Sequence, residues 1–200
     1  MKVLTFLGTD FDNLCRKLAD EVLSNNYTPD LVIGILTGGG IIGRIAYDEF
    51  QQKNVNKKIV YTEVKLQRPS TKTKAKSNVN KILPKLPIWL LNVMRIAEVY
   101  YYEIKVRFVK PKREGKLEPN NDVKLLLKDG GKKVLFIDDC VDTGYTLKII
   151  KEYFMYHFPG NDFRVAVATV SHHFPVIIPE YKLYNRVLLR FPWANDVKRK

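Results

Sequence analysis

The chain has 200 residues, of which 46% are hydrophobic and 28% charged, a size and composition typical of one globular domain. Its 34 basic and 21 acidic residues give a net charge of +13, which indicates an anionic partner such as nucleic acid, a membrane surface or a phosphorylated small molecule. Apolar runs fall short of the roughly 20 residues that span a bilayer, and the amino terminus lacks a secretory pattern. Two cysteines do not suggest a disulfide framework. We therefore expect a cytoplasmic protein.

Apolar runs that could form strands alternate along the chain with segments of helical periodicity. The first helix should have Thr9 as its N-cap and one apolar face formed by Phe11, Leu14, Cys15, Leu18 and Val22. A continuous apolar run over 30–36 is typical of a strand buried on both faces. This alternation predicts an α/β fold with a mostly parallel, twisted sheet flanked by helices. The predicted strands are 2–7, 30–36, 57–64, 132–138, 162–173 and 185–191, and the later helices are 41–52, 87–105 and 146–158.

The composition changes between about residues 65 and 121. Eight basic residues and no acid lie between Glu63 and Glu98, which predicts a solvated loop. The apolar segment 87–105 predicts a helix, and the polar segment 110–122 predicts a second loop. We expect this helix to pack on the domain or on a dimer partner. The alternative is an interfacial helix beside a polybasic segment, drawn to anionic lipid or nucleic acid.

Two turns follow strands of the predicted sheet, where ligands of α/β proteins bind. In the first, "ILTGGGIIG", glycines permit close backbone approach and a helix amino terminus favours an anion, although a turn without a ligand is equally compatible. In the second, "VLFIDDCVDTGYTL", Asp138 and Asp139 could hold a cation or sugar hydroxyls, and a hydroxyl-rich helix start suits a phosphate. The alternative, Asp142 as a helix cap beside two solvent-facing acids, leaves the adjacent pair unexplained.

The stretch from Leu135 to Thr146 resembles the signature of type I phosphoribosyltransferases, which bind phosphoribosyl pyrophosphate (PRPP), and "LTGGG" resembles their pyrophosphate loop. The resemblance implies the fold of that family in a single domain over 1–200, with an insert at about 65–121. It also implies Mg²⁺ as cofactor and a homodimer.

The resemblance implies a role for each matching residue. Asp138 and Asp139 would bind the ribose and the metal, and Asp142 would be the catalytic residue that assists proton transfer at the base. A non-proline cis peptide would lie in the pyrophosphate loop. The 5′-phosphate loop would comprise Asp142, Thr143, Gly144, Tyr145 and Thr146, and the pyrophosphate loop Leu36, Thr37, Gly38 and Gly39.

The carboxyl-terminal part resembles the end of xanthine-guanine and hypoxanthine phosphoribosyltransferases, which implies base contacts from Leu188 and Leu189. Leu188 stands where that family has a stacking aromatic. The lysine that the family has after the preceding strand is absent, and Ser171, His172 and His173 stand there instead. The two histidines could donate to a carbonyl of the base, or they could be exposed surface residues, which the pattern favours. Phe191 and Trp193 are expected in the core.

The function implied is an enzyme that moves the ribose 5-phosphate of PRPP onto a nucleobase-like acceptor, with a purine favoured. The alternative is a PRPP-sensing regulator of the same fold that binds nucleic acid through its basic residues. Asp142 favours the enzyme, whereas the charge of +13 and the insert favour the regulator. Docking to nucleic acid or to an anionic membrane is less favoured than a lid role for the basic loop over PRPP.

Overall fold

A computed structural model describes residues 1–66, 86–108, 117 and 119–197. Most of the predicted basic loop and most of the second loop of the insert therefore lie outside the described residues. The described strands are β1 Lys2–Thr5, β2 Leu31–Ile35, β3 Val60–Val64, β4 Lys133–Val141, β5 Asp162–Val170, β6 Tyr181–Asn185 and β7 Val187–Arg190. The helices are α1 Thr9–Ser24, α2 Gly38–Lys53, α3 Ile88–Phe108, α4 Asn121–Leu127 and α5 Tyr145–His157.

Five strands form one parallel sheet in the order β3-β2-β4-β5-β6, and β1 and β7 form a separate parallel pair. The predicted α/β class is confirmed. In the central pair, Gly34 of β2 lies opposite Ile137 of β4, so the carboxyl end of β2 at Ile35 is level with the acid pair of β4. This register brings the two predicted ligand turns to one edge of the sheet.

The central strands are buried on both faces, which explains their continuous apolar sequence. Leu135 and Ile137 of β4 pack toward α1 and α2, whereas Val134 and Phe136 pack with α4 and α5 on the opposite face. The predicted apolar face of α1 is confirmed as part of the first layer; its buried residues include Phe11, Leu14, Cys15, Leu18 and Val22.

Several predicted boundaries differ from those observed. Gly8, not Thr9, precedes α1 at the N-cap, with φ 53° and no side-chain cap. Helix α2 begins at Gly38 and therefore includes the glycines expected to precede it. Strand β4 continues through the acid pair to Val141, because its parallel neighbour β5 pairs with it as far as Val170.

Two elements were not predicted. Helix α4 begins after Asn120, whose side chain accepts a hydrogen bond from the Val123 amide at 2.9 Å, within a segment that the composition assigned partly to a loop. Strand β6 lies just before the predicted last strand. Arg186, with φ 60°, separates β6 from β7. The predicted strand 185–191 therefore corresponds to β7, while β6 belongs to the other sheet.

The predicted helix of the insert is confirmed as α3, which docks on the domain through buried polar groups. Arg95 binds the Asp196 carboxylate with two hydrogen bonds of 2.8 and 2.5 Å, and Arg190 donates to the same carboxylate at 2.9 Å. Burial opposes ionisation of Asp196, but these two guanidinium groups outweigh it and lower its pKa to about 2. Arg190 also donates to Asn92 of α3 and to Thr5 of β1, both at 2.9 Å.

A second contact holds the carboxyl-terminal half of α3. Glu103 accepts hydrogen bonds from the Arg186 guanidinium and from the backbone amide of His173 at 2.7 Å. Arg186 also donates to the Ser171 carbonyl at 2.8 Å. Helix α3 is therefore tied to the segment that follows β5.

Candidate active site

The turn between β2 and α2 places the TGGG sequence at the edge of the sheet. Thr37 is the N-cap of α2, and the peptide bond between Leu36 and Thr37 is cis, in the loop where the family resemblance implies such a bond. Tyr61 of β3 donates its hydroxyl hydrogen to the Gly40 carbonyl at 2.8 Å. The start of α2 is thus fixed to the strand beside it.

Two glycines of this turn lie directly against the acid pair of β4. A Cβ on Gly38 would be 2.1 Å from Asp139 Oδ2, and a Cβ on Gly39 would be 2.4 Å from the Ile137 carbonyl oxygen and 2.7 Å from Asp138 Cα. No real side chain tolerates such distances. The glycines are therefore required for the two turns to touch, in addition to any close approach to a ligand.

The two acids of the pair have different surroundings. Asp138 is 5% exposed, and its Oδ1 accepts a hydrogen bond from the Asp139 amide at 2.9 Å. Asp139 is half-buried, with its carboxylate over Gly38. The alternative of two solvent-facing acids is therefore wrong, and Asp139 is the carboxylate shared by both turns.

The donor set suits magnesium bound together with a substrate. Among the described residues no group of three or more His, Cys, Asp or Glu side chains could hold a metal ion. Mg²⁺ commonly binds through one or two carboxylates and completes its shell with water and substrate phosphates. Asp138 and Asp139 supply two such carboxylates. The described residues do not supply the additional ligands that an ion held by protein groups alone would need.

The turn between β4 and α5 forms the second half of the site. Gly144 is the N-cap of α5 with φ 79°, a left-handed conformation, and a Cβ there would lie 2.8 Å from Ile177 Cγ2. The segment after β5 covers this turn, since the Val176 amide donates to the Thr143 carbonyl at 2.9 Å. The first amides of α5 have no carbonyl partner within the helix, so this terminus favours an anion.

Asp142 is held by two neighbours at one oxygen. The Ser171 hydroxyl donates to Asp142 Oδ1 at 2.5 Å, and the Cys140 thiol donates to the same atom at 3.2 Å. Burial, followed by the carboxylates of Asp142 and Asp139, raises the pKa of Cys140 well above its usual value, so the thiol stays protonated and remains a donor. Asp142 is exposed, and Gly144 rather than Asp142 caps α5, so the helix-cap alternative is wrong.

A cavity of about 230 Å³ opens beside this turn. His172 is buried at its wall, and burial lowers the pKa of the imidazole more than the nearby carboxylates of Asp142 and Glu103 raise it. Phe174, in contrast, is 79% exposed at the cavity. The remaining lining residues come from α3, from the turn itself and from the segment after β5; they are Glu103, Val106, Thr143, Tyr145, His173 and Val176.

The three residues predicted to contact the base are not brought together. His172 lines the cavity, whereas Leu188 and Leu189 are buried in β7, paired with Val3 and Leu4 of β1. The Leu189 carbonyl, which was expected to contact the base, instead accepts a hydrogen bond from Arg95 of α3 at 3.4 Å.

The comparison with protein families agrees with this arrangement of two turns at one sheet edge. The model of the phosphoribosyl transferase domain matches residues 9–171. The chain belongs to this family. Its activity class is therefore that of a phosphoribosyltransferase. No curated protein matches the chain significantly.

Solved structures share the fold, and two of the three described here are named phosphoribosyltransferases. A purine phosphoribosyltransferase from Pyrococcus horikoshii Ot3 is 16% identical with a TM-score of 0.59, and the match covers 100% of both chains. A xanthine-guanine-hypoxanthine phosphoribosyltransferase from Helicobacter pylori is 12% identical with a TM-score of 0.56, covering 96% of this chain and 92% of that one. A hypothetical protein from Neisseria gonorrhoeae with bound ppGpp is 17% identical with a TM-score of 0.56, covering 96% and 89%.

The phosphoribosyltransferase site includes residues that sequence reasoning missed. Ser171 was noticed only as a departure from the family pattern, yet it orients Asp142. Glu103 and Phe174 had no local signal, because the cavity forms only when α3 docks beside the segment after β5. Phe191 and Trp193 stack on each other at 4.9 Å within the core, as predicted.

Proposed function

We propose that this phosphoribosyltransferase moves the ribose 5-phosphate of PRPP onto a purine or similar nucleobase, with Mg²⁺-assisted release of pyrophosphate. The observation that carries the proposal is the contact between the two turns, in which Gly38 lies against Asp139 and Gly39 against Asp138. A pyrophosphate-binding turn and a ribose-binding turn must be this close, because PRPP carries its pyrophosphate on the ribose itself.

The first turn binds the pyrophosphate in this proposal. Thr37, Gly38 and Gly39 offer backbone amides at the amino terminus of α2, where the helix dipole favours negative charge. Leu36 holds the start of this loop in place, since its own amide donates to the Val64 carbonyl at 2.9 Å. These donors are in place before the reaction, so they can stabilise the charge that develops on the leaving group.

The acid pair binds the ribose. Asp139 faces the pyrophosphate turn and can accept hydrogen bonds from ribose hydroxyls, while Asp138 is held inward by the Asp139 amide. Mg²⁺, when bound by these carboxylates and the substrate, neutralises part of the charge of the pyrophosphate. The basic excess of the chain further favours a ligand as anionic as PRPP.

The second turn binds the 5′-phosphate. Thr143, Gly144, Tyr145 and Thr146 combine hydroxyl groups with the amides at the start of α5. Because Val176 and Ile177 cover this turn, the phosphate site is bounded by the segment after β5. That segment also forms the wall of the cavity, so the acceptor would bind next to the ribose.

Asp142 assists proton transfer at the acceptor. Both hydrogen bonds that it accepts from described residues go to Oδ1, which leaves Oδ2 for a ring nitrogen of the base. His172, kept neutral by burial, can donate to a carbonyl of the base, and the exposed ring of Phe174 offers an apolar surface to a planar acceptor. Two of the similar structures carry purine substrates in their names, which supports a purine.

A screen of nucleobases tests the proposal. The full chain is incubated with PRPP, Mg²⁺ and one base at a time, and released pyrophosphate is measured. We expect release with at least one purine and none without a base. Two outcomes would contradict the proposal: pyrophosphate released without any base, or no pyrophosphate released with any purine or pyrimidine. PRPP that binds without being transferred would favour the regulator instead.

A further inference from the structure

The outward surface of α3 is apolar along almost its whole length. The inward surface carries the polar contacts to Asp196, Arg190 and Arg186, whereas large apolar side chains point to solvent. Trp89 is 64% exposed, Tyr101 60% and Phe108 83%. We define the α3 outer face by six of these residues: Trp89, Val93, Tyr100, Tyr101, Ile104 and Phe108.

The size of the α3 outer face indicates an interaction surface. At about 100° per residue, the six positions fall within an arc of roughly 120° on one side of the helix. The exposed charges Glu98 and Lys105 lie at its border. Twenty-one residues make a helix about 31 Å long, so the apolar footprint is on the order of 300 Å² in projection. Apolar patches of this size on a protein commonly bind a partner.

The charge near α3 selects the kind of partner. The sequence before α3 is basic, with seven Lys or Arg and no acid between Glu63 and Ile88, and the sequence after it is basic too, with four basic residues and one acid between Phe108 and Leu117. Two copies paired along α3, in either direction, would bring like charges together at both ends of the helix. The partner is therefore expected to be anionic.

Among anionic partners, a lipid membrane fits the α3 outer face best. Nucleic acid presents phosphates and base edges, which do not match a surface of Val, Ile and Phe side chains. A bilayer surface offers hydrocarbon for those residues and an interfacial zone that favours Trp and Tyr. No described helix is long and apolar enough to cross a bilayer, so the contact would be with one leaflet.

We propose that the α3 outer face docks the protein on the surface of an anionic lipid membrane, with α3 parallel to the bilayer plane. The apolar side chains enter the boundary between headgroups and acyl chains, and the positive charge of the protein attracts anionic headgroups. The proposal is independent of the transfer reaction, since no residue of the α3 outer face lines the cavity or either turn.

Vesicle sedimentation with the full chain tests this proposal. The vesicles are phosphatidylcholine alone or with about 30% phosphatidylserine, in about 0.1 M salt. The test variant carries Trp89→Ser, Tyr101→Ser and Phe108→Ser. The matched control carries Leu125→Ser, Met155→Ser and Tyr156→Ser, three exposed apolar residues outside α3. Circular dichroism, which both variants should leave unchanged, reports folding separately.

We expect binding to the anionic vesicles that weakens as salt rises, is at least about tenfold weaker in the test variant and is unchanged in the control. The Trp89 fluorescence of the unmodified chain should also shift to the blue on binding, and Trp89→Phe should remove the shift. Absent vesicle binding, or equal loss in both triple variants, would overturn the proposal. A dimer that the test variant converts to monomer, without vesicle binding, would assign the α3 outer face to a second copy.

Discussion

At the scale of single residues, the adjacent carboxylates of Asp138 and Asp139 give the sharpest test of PRPP binding. Replacing both by Asn removes two charges but preserves shape, and the side-chain amide oxygen introduced by Asp138→Asn can still accept the hydrogen bond of the following backbone amide. We expect the double variant to lose Mg²⁺-dependent PRPP binding, measured by calorimetry with and without the metal, while circular dichroism is unchanged.

A control for the acid pair is available on the surface. Asp122 and Asp129 are exposed, one in the first turn of α4 and the other in the turn after it, so Asp122→Asn with Asp129→Asn removes the same charge elsewhere. PRPP affinity that is equal in the two double variants would exclude Asp138 and Asp139 from the ribose site.

Asp142 is expected to affect turnover rather than PRPP affinity. Asn at this position keeps an Oδ1 acceptor for Ser171 and Cys140 but cannot exchange a proton at the second atom. Positioned acid–base groups accelerate reactions by about 10²–10⁴, so Asp142→Asn should slow the transfer by that factor. Steady-state pyrophosphate release and PRPP calorimetry measure the two effects; a normal turnover on the best acceptor would show that Asp142 has no catalytic role.

At the scale of elements, the contact between the two turns depends on glycine. Gly38→Ala should displace the Asp139 carboxylate and weaken PRPP binding, and Gly39→Ala should also lower the free energy of unfolding by about 1–3 kcal/mol, because its Cβ meets backbone atoms. Gly40→Ala is the matched control, since its shortest contact is with the flexible end of Leu36, at 2.7 Å. Urea unfolding and PRPP titration of the three variants measure the differences; equal effects would mean that the contact is unimportant.

The docking of α3 should depend on pH through Asp196. Its pKa is about 2 in the folded protein against an ordinary value of 3.8, so its contribution to stability is present above about pH 4 and is lost as pH falls toward 2. Asp196→Asn should therefore lower the free energy of unfolding by about 1–2 kcal/mol at pH 7.

The difference between Asp196→Asn and the unmodified chain should narrow from pH 5 to pH 3 in urea unfolding. Glu152→Gln, which breaks an exposed 3.7 Å pair with Lys148, should change stability by less than about 0.5 kcal/mol. A difference that stays constant over this pH range would show that the charge of Asp196 does not hold α3.

At the scale of the whole molecule, a strand of the sheet could be predicted where its own sequence is a continuous apolar run. The buried runs of β2 and β4 follow from layers on both faces, with Val32 and Leu135 in one core and Ile33 and Phe136 in the other. Helix α4 is short, and β6 is defined by its pairing with β5 rather than by an apolar run, so neither has a clear local pattern.

The candidate active site likewise has parts that a local sequence pattern predicts and parts that depend on long-range contacts. Three acids close together in sequence predicted a ligand-binding turn. The hydrogen bond from Ser171 to Asp142 instead depends on the register of β4 and β5, which places Val141 opposite Val170. The cavity depends on the docking of α3, which joins residues about 70 positions apart, such as Glu103 and His173. Contacts of this range are set by tertiary packing and leave no periodic signal in the sequence.

The pairing of β1 with β7 has a consequence for biosynthesis. Lys2 lies opposite Val187, so β1 pairs with a strand that the ribosome makes 185 residues later. At about 5–20 residues per second, β1 waits roughly 10 to 40 s for its partner, during which the five-stranded sheet can already begin to form. The nascent chain therefore exposes an open edge of β1 until β7 has been made, and a chain stalled before β7 would keep that edge available for aggregation.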